Sequence, residues 1–277
     1  MTDIISVEGL WFNYPNGVTA LRGIDLKLAE GGIAALIGQN GSGKTTLAKM
    51  MNGLLKPTKG TVKVANIDTA GKETYQLAKY VGYSFQNPTH QLYEKSVETE
   101  LMAGPLNLGC STEEAQSRAA AAVELFSLKG LEQIRPSALP FPLKKVVCIA
   151  AVYTMQPRVM MLDEPTTGQD HVGLRMIQNA VGKIRSMGIT PVIISHDMRL
   201  VAESVETVVV MALGKIVRIG TPVEIFLDEE TMEKAALRPP QILELSAKLD
   251  AAYPRHGGVS ENVEEEVSKI ERMAAGK

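Results

Sequence analysis

Residues 38–46 read G-Q-N-G-S-G-K-T-T, which contains the pattern G-x-x-x-x-G-K-T. Glycines at these positions let the backbone turn so that successive N–H groups face a phosphate. If a helix begins at Lys44, its N-terminus adds a partial positive charge, Lys44 reaches the outer phosphates and the Thr45 hydroxyl binds Mg²⁺. A chance glycine-rich turn is the alternative, but the apolar run before the loop and the helical pattern after it favour a phosphate site.

Two adjacent acids, Asp163 and Glu164, follow the apolar run V-M-M-L. Four apolar residues predict a buried strand, and ligands bind at the carboxyl edge of a parallel sheet. Asp163 is then placed to hold the Mg²⁺ shell, and Glu164 to orient or deprotonate an attacking water. The alternative is an acidic strand end without chemistry, which the phosphate loop upstream disfavours.

Two other polar residues also follow strand patterns. His196 comes after V-I-I-S and Gln86 after Y-S-F. A lone histidine is usually structural, but this one stands where a γ-phosphate contact is needed, which favours a catalytic role. Gln86 carries little weight by itself, and a solvated loop amide is its alternative interpretation.

Composition excludes several classes of protein. The 277 residues contain 29 basic and 31 acidic side chains, a formal net charge of -2, which argues against a dedicated nucleic-acid binder. Cys110 and Cys148 are the two cysteines, so no disulfide framework is expected and a reducing compartment is indicated. The first residues lack the apolar run of a signal peptide, and no stretch approaches the ~18 apolar residues of a membrane span. Any membrane role is therefore expected to go through a partner.

The pattern along the chain predicts a β-rich start followed by a mixed α/β region. Residues 4–30 alternate apolar and polar runs around P-N-G at 15–17, which predicts a hairpin. A helix is predicted from about Lys44 to Asn52, and residues 88–155 have a mainly helical pattern. Buried strands are predicted at the short apolar runs 33–37, 159–162, 191–195 and 207–211.

Residues 221–277 differ from the part before them. Two short helical patterns are predicted there, with a linker around Pro254 to Gly258. The second pattern has Asn262 as a cap and one apolar face, made of Val263, Val267 and Ile270. Such faces are too small to form a core alone, which predicts that this segment packs on a partner.

Together these motifs resemble those of the ATP-binding subunit of an ABC transporter, over about residues 5–220. The phosphate loop resembles the Walker A motif, and V-M-M-L-D-E-P resembles Walker B with its catalytic glutamate. F-Q-N-P at 85–88, T-T-G-Q-D at 166–170 and S-H-D at 195–197 resemble the Q-loop, D-loop and H-loop. Tyr14 matches the aromatic residue that stacks on adenine.

The resemblance implies a role for each matching residue. Catalysis is assigned to Glu164 and His196. Mg²⁺ is expected at Thr45, Gln86 and Asp163. The residues expected to bind ATP are Tyr14, Gly38, Gln39, Asn40, Gly41, Ser42, Gly43, Lys44, Thr45, Thr46 and Gln86.

A closer resemblance is to the cobalt-type ATPases of energy-coupling factor (ECF) transporters. It is carried by Q-N-P-T-H-Q-L at 86–92, S-V-E-T-E-L at 96–101, G-P-L-N-L-G at 104–109 and L-R-P-P-Q-I at 237–242. It implies an α/β fold with a RecA-like P-loop NTPase core, an antiparallel β subdomain and a helical subdomain at about 88–155. These form an ATP-binding domain over 1–220, which a C-terminal dimerisation extension follows over 221–277.

The same resemblance implies a function and partners. ATP hydrolysis would drive import of a vitamin or a transition-metal ion from the cytoplasmic face of the membrane, where the chain is peripheral. The partners would be a membrane-embedded coupling (T) protein, a substrate-binding S component that selects the solute, and a second ATPase. Non-transport ABC ATPases usually carry two nucleotide domains or a long coiled-coil insertion, neither of which is visible. A small-molecule kinase is disfavoured by the ordered Q-, D- and H-loops.

One stretch departs from the family pattern. Residues 139–145 read L-P-F-P-L-K-K where the family has the signature L-S-G-G-Q, a loop that contacts the ATP held by a neighbouring subunit. Pro140 replaces the serine, Phe141 and Pro142 the two glycines and Leu143 the glutamine, so a hydroxyl and N–H donors are lost. This predicts a heterodimer with a second ABC ATPase whose signature is intact. In the alternative, Lys144 and Lys145 compensate, but lysines in a first helical turn are expected to point to solvent.

Overall fold

The computed structural model describes residues 2–253 and 257–274. Its strands are β1 (Asp3–Asn13), β2 (Thr19–Ala29), β3 (Ala34–Ile37), β4 (Lys59–Val64), β5 (Ile67–Asp68), β6 (Val81–Ser84), β7 (Val159–Asp163), β8 (Thr190–Ile194), β9 (Thr207–Ala212) and β10 (Lys215–Gly220). Its helices are α1 (Lys44–Met51), α2 (Thr74–Leu77), α3 (Val97–Asn107), α4 (Thr112–Leu125), α5 (Phe141–Thr154), α6 (His171–Ser186), α7 (Met198–Ser204), α8 (Pro222–Phe226), α9 (Glu229–Ala235), α10 (Gln241–Ala252) and α11 (Val263–Ala274).

The strands form a mixed sheet and an antiparallel sheet. The mixed sheet has the order β10-β9-β3-β8-β7-β6, with β9, β3, β8, β7 and β6 parallel and β10 antiparallel at one edge. Its strands β3, β7 and β8 are buried along their whole length, as expected for parallel strands covered on both faces. The antiparallel sheet has the order β2-β1-β4-β5 and contains the predicted hairpin.

The core lies on both faces of the mixed sheet. Successive residues of β3 belong to different apolar clusters, because side chains alternate between the faces of a strand. Ala35 and Ile37 pack with the helical side, and Ala34 and Leu36 pack with α1 and the antiparallel sheet. The phosphate loop that follows β3 is thus anchored at a strand held from both sides.

The helical region predicted over 88–155 contains α3, α4 and α5. Ser96 and Ser111 cap α3 and α4 through their side chains, as serine commonly does at helix starts. Pro140, at the start of α5, provides no such side-chain bond. Helix α5, which begins within the altered signature segment (residues 139–145), therefore lacks the side-chain cap that α3 and α4 have.

The C-terminal segment, residues 221–277, contains more helices than the two that the sequence predicted. Beyond the two predicted helical patterns it forms the short helices α8 and α9, which are too brief to show a clear periodicity. Ile225, Phe226 and Met232 from these helices are buried in the main core, so this part packs on its own chain. In α11 the predicted apolar face of Val263, Val267 and Ile270 is exposed.

The division of the chain at residue 220 remains a proposal. Residues 254–256 of the predicted linker lie outside the described residues. Within the described parts of the chain, no helix is both long enough and apolar enough to cross a membrane.

Candidate active site

The predicted site residues follow neighbouring strands of the mixed sheet. In the register, Ile194 at the end of β8 lies opposite both Leu36 and Asp163, and Ser84 lies opposite Leu162. The strands are parallel, so the loops after β3, β6, β7 and β8 all leave at one edge. Ligands bind at this carboxyl edge in open α/β sheets.

The phosphate loop has the backbone that its glycines predict. Gly38 has φ 146° and Gly43 has φ 105°, and α1 begins immediately after Gly43. A Cβ on Gly38 would lie 2.1 Å from the carbonyl oxygen of Met211, so only glycine fits there. Gln39 and Asn40 are exposed at the tip, and Gln39 Nε2 donates to the carbonyl of Ala236, 3.3 Å away.

Lys44 curls over this loop. Its Nζ donates to the carbonyl oxygens of Gly38 at 2.7 Å and Gln39 at 2.9 Å. Burial lowers the pKa of Lys44, and the carboxylates of Glu164 and Asp163 act in the opposite direction. The ammonium therefore lies within electrostatic reach of both acids, where a phosphate chain would run along the helix start.

Tyr14, which follows β1 of the antiparallel sheet, lies next to the start of α1. Its hydroxyl lies 3.0 Å from Thr46 Oγ1, and its ring packs edge-on against Phe12 at a centroid distance of 4.9 Å. A half-buried aromatic ring thus stands beside the first turn of α1. This position is consistent with the predicted contact to a nucleotide base, which remains a prediction.

Asp163 ends β7 and is almost completely buried. Its Oδ2 accepts a hydrogen bond of 2.7 Å from the hydroxyl of Tyr83 on β6. Burial raises the pKa of Asp163, and the bond from Tyr83 opposes that shift. Burial also raises the pKa of Tyr83, so its hydroxyl stays protonated as a donor. Tyr83 was not predicted as a site residue, and its only signal in the sequence was its place in Y-S-F before Gln86.

Glu164 has a backbone conformation that is rare outside glycine. Its φ is 48°, and such left-handed residues cost about 1 kcal/mol or more. Its N–H donates to the carbonyl of Ile194 at 2.8 Å. Its Oε2 lies 2.8 Å from His196 Nδ1, so the two predicted catalytic residues are in contact.

Gln86 lies at the same edge with an exposed side chain. Within residues 2–253 and 257–274, no hydrogen bond joins it to Asp163 or Glu164. Its predicted role with Mg²⁺ therefore remains a prediction.

Lys145 contradicts the expectation that it points to solvent. Its side chain is 1% exposed, and its Nζ donates to the carbonyl oxygen of Glu164 at 2.6 Å and lies 3.5 Å from that of Asp163. Since α5 begins at Phe141, Lys145 belongs to the second turn and faces the sheet. Burial lowers its pKa to about 8, although Cys148 and both acids favour the charged form.

The altered signature segment (residues 139–145) contacts other residues of its own chain. The Phe141 side chain is 42% exposed and lies over Gly168, where an added Cβ would be 2.9 Å from the ring. Gln169 Nε2 donates to the carbonyl of Pro142 at 3.2 Å. Among the first three helical residues, Phe141 and Leu143 keep an N–H while Pro142 has none. The loop thus offers a neighbour an aromatic ring and few donors.

Comparison with known proteins agrees with this geometry. The ABC transporter family matches residues 21–167. A putative ABC transporter ATP-binding protein of Caldanaerobacter subterraneus is 40% identical over 250 residues, 90% of this chain but only 44% of that longer protein. The energy-coupling factor transporter ATP-binding protein EcfA of Methanocaldococcus jannaschii is 40% identical over 244 residues, 87% of this chain and 88% of that one.

A solved structure has the same fold. CbiO1 from Clostridium perfringens, described as part of the ABC transporter complex CbiONQ, aligns with a TM-score of 0.77 and 32% identity. The alignment covers 92% of this chain and 97% of that one.

The chain therefore belongs to the ABC transporter family of ATP-binding proteins. Within that family it is similar to ATP-binding proteins of energy-coupling factor transporters, as the sequence predicted. The predicted α/β P-loop fold is confirmed, and the chain is an ATP-binding ATPase of this class.

Proposed function

We propose that this chain is the ATP-hydrolysing subunit of an ECF importer, paired with a second ABC ATPase that carries an intact signature. One contrast carries the proposal. The edge of the sheet assembles Lys44, Asp163, Glu164 and His196, whereas the start of α5 has lost the serine and glycines of the signature. The transporter context is supported by the relatives named above.

The site's own residues define the proposed chemistry. Lys44 balances charge on the outer phosphates, and the glycine-rich backbone holds them through N–H groups. Glu164 orients and deprotonates the attacking water, and His196 holds the Glu164 carboxylate and faces the γ-phosphate. Because the Glu164 backbone is fixed to β8, its carboxylate is directed before ATP arrives.

The donor chemistry fits Mg²⁺ as the cofactor. The Thr45 hydroxyl, the Gln86 amide oxygen and the Asp163 carboxylate are hard oxygen ligands, which Mg²⁺ prefers. Within the described residues, no group of three His, Cys, Asp or Glu side chains could hold a metal by itself. This agrees with an ion held by one carboxylate together with substrate phosphates. When bound, Mg²⁺ would neutralise charge that develops on those phosphates.

In the proposed assembly, the chain is peripheral at the cytoplasmic face of the membrane. Its partners are the membrane-embedded coupling (T) protein and an S component that selects a vitamin or transition-metal ion. The exposed segment after β6 is the proposed contact with the coupling protein. Thr89 and His90 there replace residues that are often acidic in the resembled group, so this contact is expected to differ in charge.

The test is purification of the tagged chain from its native cells in mild detergent. The proposal predicts two kinds of co-purifying protein, a multi-span membrane protein and a second ABC ATPase with L-S-G-G-Q. Recovery with ribosomes or DNA-repair proteins, and without any membrane protein, would support a non-transport ABC ATPase instead. The Lys44→Ala variant is the control, and we expect it to recover the same proteins, because Lys44 lies in the phosphate loop and not in the proposed membrane contact.

A further inference from the structure

Lys145 is a buried lysine without a carboxylate ion pair among the described residues. A buried charge is costly unless hydrogen bonds satisfy it. Here the hydrogen-bond partner is the backbone carbonyl of Glu164, and that of Asp163 lies at the limit of hydrogen-bond distance. The neighbouring Lys144 is only half-buried, so the two adjacent lysines have different environments.

The carbonyl that Lys145 contacts belongs to a residue with an unusual backbone. Glu164 has φ 48°, and this conformation determines where its side chain leaves the strand end. Its N–H is bound by Ile194 of β8, and its carbonyl is bound by Lys145 of α5. The backbone of Glu164 is thus held from both sides, and its carboxylate reaches His196 at 2.8 Å. Removing one of these bonds would release a strained residue.

We propose that Lys145 is a positioning residue for hydrolysis, which holds the Glu164 backbone so that its carboxylate faces the γ-phosphate. The inference rests on the proposed catalytic role of Glu164. It gives α5 a function within its own chain, although the loop that begins this helix has lost the signature offered to a neighbour. The contact is local, and it acts on the ATP bound by this chain.

The test measures kcat, KM and ATP affinity of the purified transporter complex containing Lys145→Met, with Lys144→Met as the matched control. Methionine has a similar length and keeps the packing, but it cannot donate to the Glu164 carbonyl. We expect kcat to fall by about tenfold or more, since small displacements of catalytic groups have effects of this size. ATP affinity is expected to stay within about twofold, because the interaction lost serves the transition state. Lys144→Met is expected to leave all three values unchanged.

Two further variants separate positioning from a general structural role. Lys145→Gln retains an N–H donor on a shorter side chain, so it should recover part of the lost kcat. In the Glu164→Gln background, Lys145→Met should lower the residual rate no further, because a residue that acts through Glu164 has nothing left to position. If Lys145→Met does not fold, Lys145→Gln carries the test, with a reduced kcat and unchanged ATP affinity expected.

The outcomes are distinct. A kcat equal to that of Lys144→Met while Glu164→Gln is inactive overturns the role of Lys145 and leaves the proposed function standing. Independent, multiplying losses in the double variant also overturn it, because they place the action of Lys145 elsewhere. Near-normal hydrolysis by Glu164→Gln removes the proposed catalytic role of Glu164, and the inference with it.

Discussion

The carboxyl edge of the mixed sheet keeps the residues that match the family's ATP-site motifs, whereas the first turn of α5 has lost those of the family signature. At the sheet edge, Lys44 lies within electrostatic reach of Asp163 and Glu164, and Glu164 contacts His196. At the start of α5, Pro140 caps the helix without a side-chain bond, and Phe141 covers Gly168 of the same chain. In the proposed function, the first region binds and hydrolyses ATP, and the second lacks the serine and glycines of the family signature.

We infer from this difference that one chain can keep the Walker side of a shared ATP site while its signature side changes. The residues proposed to serve the chain's own nucleotide are held by strand register and by contacts such as the hydrogen bond from Tyr83 to Asp163. At the positions of the family signature, Pro140, Phe141, Pro142 and Leu143 replace the serine, the glycines and the glutamine, and the loop contacts Gly168 and Gln169 of its own chain. We therefore propose an asymmetric pair in which this chain supplies the Walker side of the working site.

The largest expected effect comes from Lys44→Ala, which changes a residue at the carboxyl edge of the mixed sheet. The change removes a charge-assisted contact to phosphate, typically about 1.5–3 kcal/mol, so ATP should bind roughly ten- to a hundredfold more weakly. Hydrolysis by the complex should fall below detection. Nucleotide binding by calorimetry checks this, with Lys27→Ala, an exposed lysine on β2, as the control. Unchanged affinity and turnover would show that Lys44 does not serve the phosphates.

Glu164→Gln should have the next largest effect and separate binding from chemistry. Glutamine keeps the shape but cannot accept the proton, so turnover should fall by ~10²-fold or more if general-base loss dominates. ATP should still bind. The measurement is the steady-state ATPase rate of the complex beside a binding isotherm. A near-normal rate would move the catalytic role to another group, with His196 the next candidate.

Tyr83→Phe sharpens the comparison by weakening the support beneath the acid pair. It removes a hydrogen bond to a buried carboxylate, which should lower the free energy of unfolding by about 1.5–3 kcal/mol. Since this bond opposes the rise in the pKa of Asp163 that burial causes, its loss should also raise the Mg²⁺ concentration needed for half-maximal hydrolysis. Urea unfolding and a Mg²⁺ titration check both effects. Tyr153→Phe is the matched control, because among the described residues its hydroxyl donates to the sulfur of Met187 and to no carboxylate.

The smallest effect on ATP binding should come from the C-terminal segment. A truncation after Gly220 would remove Phe226 from the core, so the informative change is truncation after Tyr253, which deletes α11 with the residues that precede it from 254 onward and leaves α8, α9 and α10 in place. ATP affinity should be unchanged, while association between ATPase subunits should weaken because the exposed apolar face of α11 is lost. Light scattering measures the association. The point variant Val267→Asp should act in the same direction and Leu213→Asp, on an exposed turn, should not.

Local motifs were the part of this molecule that the sequence predicted well. The phosphate loop and the acid pair are each encoded within a few residues, so their strands and turns could be placed in advance. The burial of Lys145 depends on where α5 begins and how it packs on β7. Local sequence patterns do not predict either of these. Tyr83 was missed because its hydroxyl meets Asp163 only through the pairing of β6 with β7. The packing of α8 and α9 was missed because helices this short have little periodicity.

The asymmetry itself is tested most directly by comparing the isolated chain with a mixed pair. Purified alone, this chain should bind ATP but hydrolyse it slowly, because a homodimer offers the Pro140–Leu143 loop to both nucleotides. Mixing with an ATPase that carries L-S-G-G-Q should produce activity, which Glu164→Gln in this chain should nearly abolish and loss of the partner's equivalent acid should affect less. Vigorous hydrolysis by the isolated chain, or equal losses from the two acids, would contradict the account.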